Sequence, residues 1–299
     1  MIESAESATP AIESASAALC RLWLGAELRR LRSDSNIKGA EVCRRLSWAP
    51  SKLTRLETAG NGVVEPADVM ALCSIYEAPQ ETTQTLVGYA TVTKTKMDWW
   101  QSPDVRDVIP PGFKAYLGLE ATASKLGNYE SEYVPGLLQV PAYIRALLER
   151  ARPDMEPEQI EKLVAVRMTR QGALTRNVSP LEFTAIISEA VLRRQVGSSE
   201  VMRTQLTHIW NLARTTHVKV QVVPFEMGAH PGMNGPFTAL KFPENLLKPI
   251  VYLESLAGAT VLRREEDVRK YEDAFSDLQA LAPGYQESLS MIETASKEF

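Results

Sequence analysis

The sequence predicts two folded parts: an all-α domain on the N-terminal side, then an α+β domain built on a small mixed sheet. Two observations separate them. Between Gly25 and Tyr76 the apolar residues recur at three- and four-residue spacing, the period of amphipathic helices. From about Trp99 onward, helical stretches alternate with short runs rich in Val, Ile, Phe and Tyr that read as strands. The charge is divided in the same way. Residues 21–61 hold nine basic and four acidic side chains, a net +5, although the 299-residue chain as a whole is at −4.

In chain order, residues 1–18 are rich in Ser, Ala and Glu with almost no large apolar side chain, and are expected to be a disordered tail. Leu24, Leu28 and Leu31 mark the stripe of a first helix. Val42, Cys43 and Leu46 mark a second, starting near Lys38 and Gly39. Ser47-Trp48-Ala49 is a turn of the length that joins two helices at a steep angle. The segment from Pro50 to Ala59 is a third helix, with Leu53 and Leu56 on one face and Ser51, Lys52 and Arg55 on the other. Pro50 suits its first position, and Gly60 suits its stop. Glu65-Pro66 opens a fourth helix along Val69, Leu72, Cys73 and Tyr76. A fifth, weaker helix is expected from Gln80 to Ala90, with the polar residues 91–96 as a linker. The domains are therefore 1–18, 19–96 and 97–299.

A short helix, a tight turn and a second helix with a polar, cationic outer face form a helix-turn-helix. The start of the second helix is the part that enters the major groove. This stretch resembles the Xre family, the Cro and phage-repressor type of DNA-binding domain. The residues carrying the resemblance are Leu28-Arg-Arg-Leu-Arg32, Glu41-Val-Cys-Arg-Arg-Leu46 and Ser51-Lys-Leu-Thr-Arg-Leu-Glu57. The resemblance implies a structural ion pair between Arg32, ending the first helix, and Glu57, late in the recognition helix. It also implies double-stranded DNA as the partner, bound by a homodimer on paired half-sites.

The chain departs from the family where glutamines are common. Gly39 starts the second helix and Ala49-Pro50 the third, and Ala49 is a poor cap. Ala59-Gly60 also stands where the family has a single glycine. Base reading then shifts to Ser51, Lys52, Thr54 and Arg55. The Arg55 fork suits guanine O6 and N7, and Lys52 suits a phosphate. Lys38, Arg44 and Arg45 complete the expected DNA-binding set, in the segment whose net charge meets the phosphates.

In the second part, residues 110–126 are expected to be a helix and 129–134 a short strand. Helices follow at 142–150, 158–174 and 199–213, and strands at 181–187, 218–223, 237–242 and 250–254. On 158–174, Arg167 shares a side with Ile160, Leu163, Val164 and Met168. Two last helices span 265–280 and 285–297. This half resembles the domain that follows an Xre-type module in actinobacterial WhiJ-like regulators. The motifs are Trp99-Trp100, Pro110-Pro-Gly-Phe113, Gly118-Leu-Glu120, Val134-Pro-Gly-Leu-Leu-Gln139, Glu189-Ala-Val-Leu-Arg-Arg194, Gly228-Ala-His-Pro-Gly232 and Tyr252-Leu-Glu-Ser255. The resemblance implies transcriptional control. It also implies a small BldB-like partner protein, with the chain as the antitoxin-like half of a two-protein module.

The contrary class is an enzyme with a docking helical domain, and the sequence offers it little. His208, His217 and His230 have no metal-ligand spacing, and no Cys-x-x-Cys, nucleophile elbow or phosphate loop is present. Nothing in the sequence brings Glu189 and Glu254 together as a catalytic pair. No catalytic residue, metal or cofactor is expected. The glycine-rich loop 228–235, holding His230 and Asn234, is a candidate pocket loop, but reads first as a connection with glycines at positive φ and His230 capping backbone. Cys20, Cys43 and Cys73 are expected to be core thiols. No apolar run reaches bilayer-spanning length and no signal-peptide pattern opens the chain, so a cytoplasmic location is expected.

Overall fold

The computed structural model describes residues 17–58, 64–176, 180–243, 247–256 and 258–299. They divide into two compact units, the first ending at Ser102 and the second made of Pro103–Phe242 and Lys248–Phe299. No helix among the described residues is long and apolar enough to cross a membrane.

The first unit is all helix: α1 (Ala17–Asp34), α2 (Gly39–Leu46), α3 (Pro50–Glu57), α4 (Pro66–Ile75) and α5 (Gln80–Thr95). Their apolar stripes meet in one core, which includes Leu24, Leu28, Val42, Leu53, Leu56, Val69, Leu72 and Leu86. Two expectations are corrected. The last two residues of the expected tail, Ala17 and Ala18, are buried in α1; residues 1–16 lie outside the described residues. Asp98, eighty residues on, accepts a hydrogen bond from the Ala18 N–H at 3.3 Å and so ties down the first described turn of α1. The polar stretch 91–96 is not a linker, because α5 runs through it to Thr95. Val92 and Thr93 are buried, and Thr91 and Thr95 return their hydroxyls to carbonyls one turn back. The expected stop at Gly60 lies outside the described residues; α3 ends at Glu57 with Thr58 as its cap.

The second unit is α+β. Its elements are α6 (Pro111–Thr122), β1 (Lys125–Glu130), α7 (Pro141–Ala151), α8 (Pro157–Thr175), β2 (Glu182–Ser188), α9 (Glu189–Arg193), α10 (Ser199–Leu212) and β3 (Val218–Val223). They continue with β4 (Phe237–Lys241), β5 (Ile250–Ser255), β6 (Gly258–Leu262), α11 (Glu265–Leu281) and α12 (Tyr285–Glu298). The six strands form one mixed sheet in the order β3-β2-β1-β4-β5-β6. β1, β2 and β3 are parallel, while β4, β5 and β6 continue as an antiparallel meander. Tyr129, Phe237 and Val251 pack on one face with Phe275 and Leu278 of α11. On the other face Tyr252 packs at a tilt on Tyr116 of α6, with ring centroids 4.3 Å apart.

Here the expected helix through Leu126 ends at Thr122, and the strand begins at Lys125 instead of Tyr129. β1 is a central strand, and Lys125-Leu-Gly-Asn lacks the β-branched alternation of a half-exposed one. Gly127 is there for space: a Cβ would stand 2.9 Å from the Phe275 ring. α9 and β6 were not expected either. β6 is mostly exposed and is held by its pairing with β5, so it carries little apolar pattern.

Candidate nucleic-acid interface

The Ser47 turn sets the angle between α2 and α3. Ser47 is left-handed (φ 54°), and the Trp48 N–H returns to the Cys43 carbonyl at 2.9 Å, closing α2 with a Schellman-type bond. Leu53 and Leu56 anchor the inner face of α3. Ser51, Thr54, Arg55 and Thr58 are exposed and lie on the opposite side, as positions spaced three and four apart must. As expected from Ala49, no side chain caps the start of α3.

Arg32 and Glu57 come together in a two-pronged ion pair, Nε to Oε1 at 2.6 Å and Nη2 to Oε2 at 2.9 Å. The Glu57 side chain is 9% exposed and that of Arg32 27%, and the hydrogen bond to Glu57 holds the guanidinium above its ordinary pKa. Arg29 donates to the Glu57 backbone carbonyl. The end of the recognition helix is therefore clamped to α1 by two arginines, the second of which sequence reasoning did not single out.

The expected DNA-binding cations separate into two groups. Arg44 and Arg45 are exposed but both pair with Glu41, whose carboxyl they hold below its ordinary value. Lys52 bridges to Asp68 at the start of α4, 2.8 Å from Oδ2, with its ammonium 4.0 Å from the centroid of the Trp48 ring. Lys52 therefore reaches a phosphate only by sharing or leaving Asp68. Arg55 and Lys38 are exposed and form no ion pair among the described residues. Asp68 was not anticipated, since it lies sixteen residues away on another helix.

The three cysteines are buried free thiols, and burial pushes Cys20 up to about 11. Among the described residues no group of His, Cys, Asp and Glu has metal-holding geometry. Glu189 accepts from the Phe225 N–H and pairs with Arg193, so it is not coupled to Glu254. The loop holding His230 is corrected in one respect. His230 caps nothing: its ring packs edge-on to Tyr129 at 6.0 Å, and Nδ1 is buried without a partner. Gly228 and Gly235 do adopt positive φ, whereas Gly232 provides clearance, since a Cβ there would meet Tyr129 at 2.4 Å. Asn234 is exposed and donates to the Pro231 carbonyl.

Under the sheet of the second unit, Glu120 of α6 and Arg170 of α8 form a buried two-pronged pair at 2.8 and 2.7 Å. The Tyr116 hydroxyl donates to the same carboxylate, and the guanidinium lies over the Phe113 ring. Burial works against the charge on Arg170, but Glu120 more than offsets it and raises the guanidinium pKa.

Residues 23–86 match a family described as a helix-turn-helix domain. Residues 113–294, more than half of the chain, match the domain of unknown function DUF5753. The chain belongs to the DUF5753 family. No match was found among curated proteins or among solved structures. The helix-turn-helix match covers α2, the Ser47 turn and α3, and identifies this DUF5753 protein as a DNA-binding regulator.

Proposed function

We propose that the protein binds operator DNA as a homodimer through the outer face of α3, and that its DUF5753 domain supplies the regulatory input. The observation that carries this is the contrast on α3, where Leu53, Leu56 and Glu57 are buried while Ser51, Thr54 and Arg55 are exposed. Arg55 reads a guanine, Lys38 meets phosphate, and Lys52 is held ready on Asp68. Two copies are invoked because one such module covers little DNA and paired half-sites a helical turn apart match two-fold symmetry. On this reading the second domain binds and does not catalyse, and the protein works in the cytoplasm.

The test is a gel shift on the promoter of the protein's own gene at two salt concentrations. Affinity should fall with a log–log slope of about −0.9 for each phosphate neutralised. A flat salt dependence would count against this interface.

A small protein partner, the antitoxin-like arrangement, is favoured by one surface feature. Tyr133, Phe225, Met227, Met233 and Leu256 are large apolar side chains left exposed. All stand on connections at the carboxyl ends of β1, β3 and β5. Co-purification with the product of a neighbouring small gene tests it.

A further inference from the structure

Arg167 lies on the side of α8 that also carries Ile160 and Val164, and it is half-buried. Three residues on, Arg170 is neutralised by Glu120. Arg167 has no such partner: among the described residues its guanidinium makes one hydrogen bond, Nη1 to the neutral Gln139 Oε1 at 2.7 Å, and no carboxylate lies within 4.0 Å. Burial and the neighbouring Arg170 push it down to about 10.

Arg170, one turn on, lies against Tyr116, which packs on Tyr252 of β5, so this side of α8 looks onto the sheet face that carries two carboxylates. The pairing of Asn128 with Thr238, and of Thr238 with Tyr252, puts Asn128, Glu130, Tyr252 and Glu254 on one face of the sheet. Glu130, at the carboxyl end of β1, is half-buried and accepts a hydrogen bond from Asn128 at 3.3 Å. Glu254 on β5 is exposed and forms no ion pair among the described residues. Burial raises the Glu130 carboxyl to about 7, with Asn128 and Arg167 opposing and Glu254 adding to the rise. The other titratable groups around it are Tyr143 of α7, the flanking Tyr129, Glu132 and Tyr133, Arg194, which pairs with Glu132, and Tyr252 beside Glu254.

Arg167 and Glu130 are half-buried with Glu254 at their exposed edge and no ion pair among the described residues, and a buried charge left unpaired is costly unless something neutralises it. Both carboxylates stand at the same end of the sheet, Glu130 at the carboxyl end of β1 and Glu254 near that of β5, because β1 and β5 are each antiparallel to the β4 strand between them.

We propose that this cluster binds a small amphoteric molecule of the amino-acid type, with its carboxylate on Arg167 and its ammonium group between Glu130 and Glu254. The proposal rests on the reading of this domain as the regulator's input and names the class of signal. Because an ammonium favours ionised Glu130, affinity rises as pH increases through neutrality.

The test uses the full chain. Free L-amino acids are added singly, with acetate and methylammonium as single-charge controls, and thermal shift and calorimetry are read. At least one amino acid should bind at millimolar concentration, with neither control matching it. Arg167→Gln and Glu254→Gln should each weaken binding at least about ten-fold. Glu254 is exposed, so its variant will fold even if that of Arg167 does not. The proposal is overturned if no amino acid binds, if acetate alone binds as well, or if Glu254→Gln leaves binding unchanged. Loss of the ligand result with salt-dependent DNA binding intact would sink only this inference; loss of DNA binding with amino-acid binding intact would sink only the DNA reading.

Discussion

Arg55 and Lys52 are one helical turn apart at most, yet their circumstances differ. Among the described residues Arg55 has no ion-pair partner to leave before it reaches a base, so Arg55→Ala is expected to cost roughly 1–3 kcal/mol on the specific site and to relax preference at one base pair. Titration against specific and scrambled duplexes checks this; equal losses on both would make Arg55 a phosphate contact. Lys52 must first loosen from Asp68 and Trp48. Asp68→Asn removes that competitor, and should strengthen binding to every duplex alike and steepen the salt slope by about one. An unchanged slope would make Lys52 a brace between α3 and α4. Glu130 yields a third expectation at this scale. Its carboxyl is raised from 4.5 to about 7, so within that window the folded chain holds a proton that the unfolded chain has lost. The unfolding free energy should therefore fall as pH rises from about 4.5 to about 7, by on the order of 3 kcal/mol. Glu130→Gln cannot titrate, and denaturant melts at pH 5 and 8 should show that slope flattened.

At the scale of elements, three helix ends rest on a residue other than glycine in the left-handed conformation: Asn36 after α1, Ser47 after α2 and Glu77 after α4. Asparagine tolerates this position, but Glu77 carries a Cβ penalty of roughly 1 kcal/mol that glycine lacks. The Ala78 N–H still closes on the Cys73 carbonyl at 2.9 Å. Glu77→Gly should therefore raise the stability of the first unit by about 1 kcal/mol, read as an increase in Tm. Glu77 lies outside α3 and its turn, so DNA affinity should not change. A lower Tm would show that the Glu77 side chain matters more than its backbone strain.

The whole molecule consists of two units with separate cores. Residues 103–299 contain all six strands of the sheet and the core around Tyr129, Phe237 and Leu278. Expressed alone, they are expected to fold, remain soluble and leave operator DNA unshifted. Circular dichroism and a gel shift with the fragment check this; a fragment that binds operator as tightly as the intact chain would refute the division of labour.

How much of this was legible from residues follows the range of the interactions involved. Helices α2, α3 and α4 and strands β3, β4 and β5 were readable because periodicity is local: Leu53 and Leu56, or Val218 to Val223, declare a face without reference to the rest of the chain. The Arg32–Glu57 pair was readable through family resemblance. Arg167, on an apolar stripe, was a visible signal without a meaning, because its hydrogen-bond partner Gln139 lies on another segment of the chain. Tertiary structure alone brought Asp98 onto the first described turn of α1, from eighty residues away. It also decided that β1 includes Gly127 and Asn128, whose fitness for a strand depends on Phe275 and Thr238. The same holds for Lys52, whose charge looked free for DNA until the fold brought Asp68 beside it. Local pattern determines which face of an element is buried; only the packed chain determines which charge on the other face is already engaged.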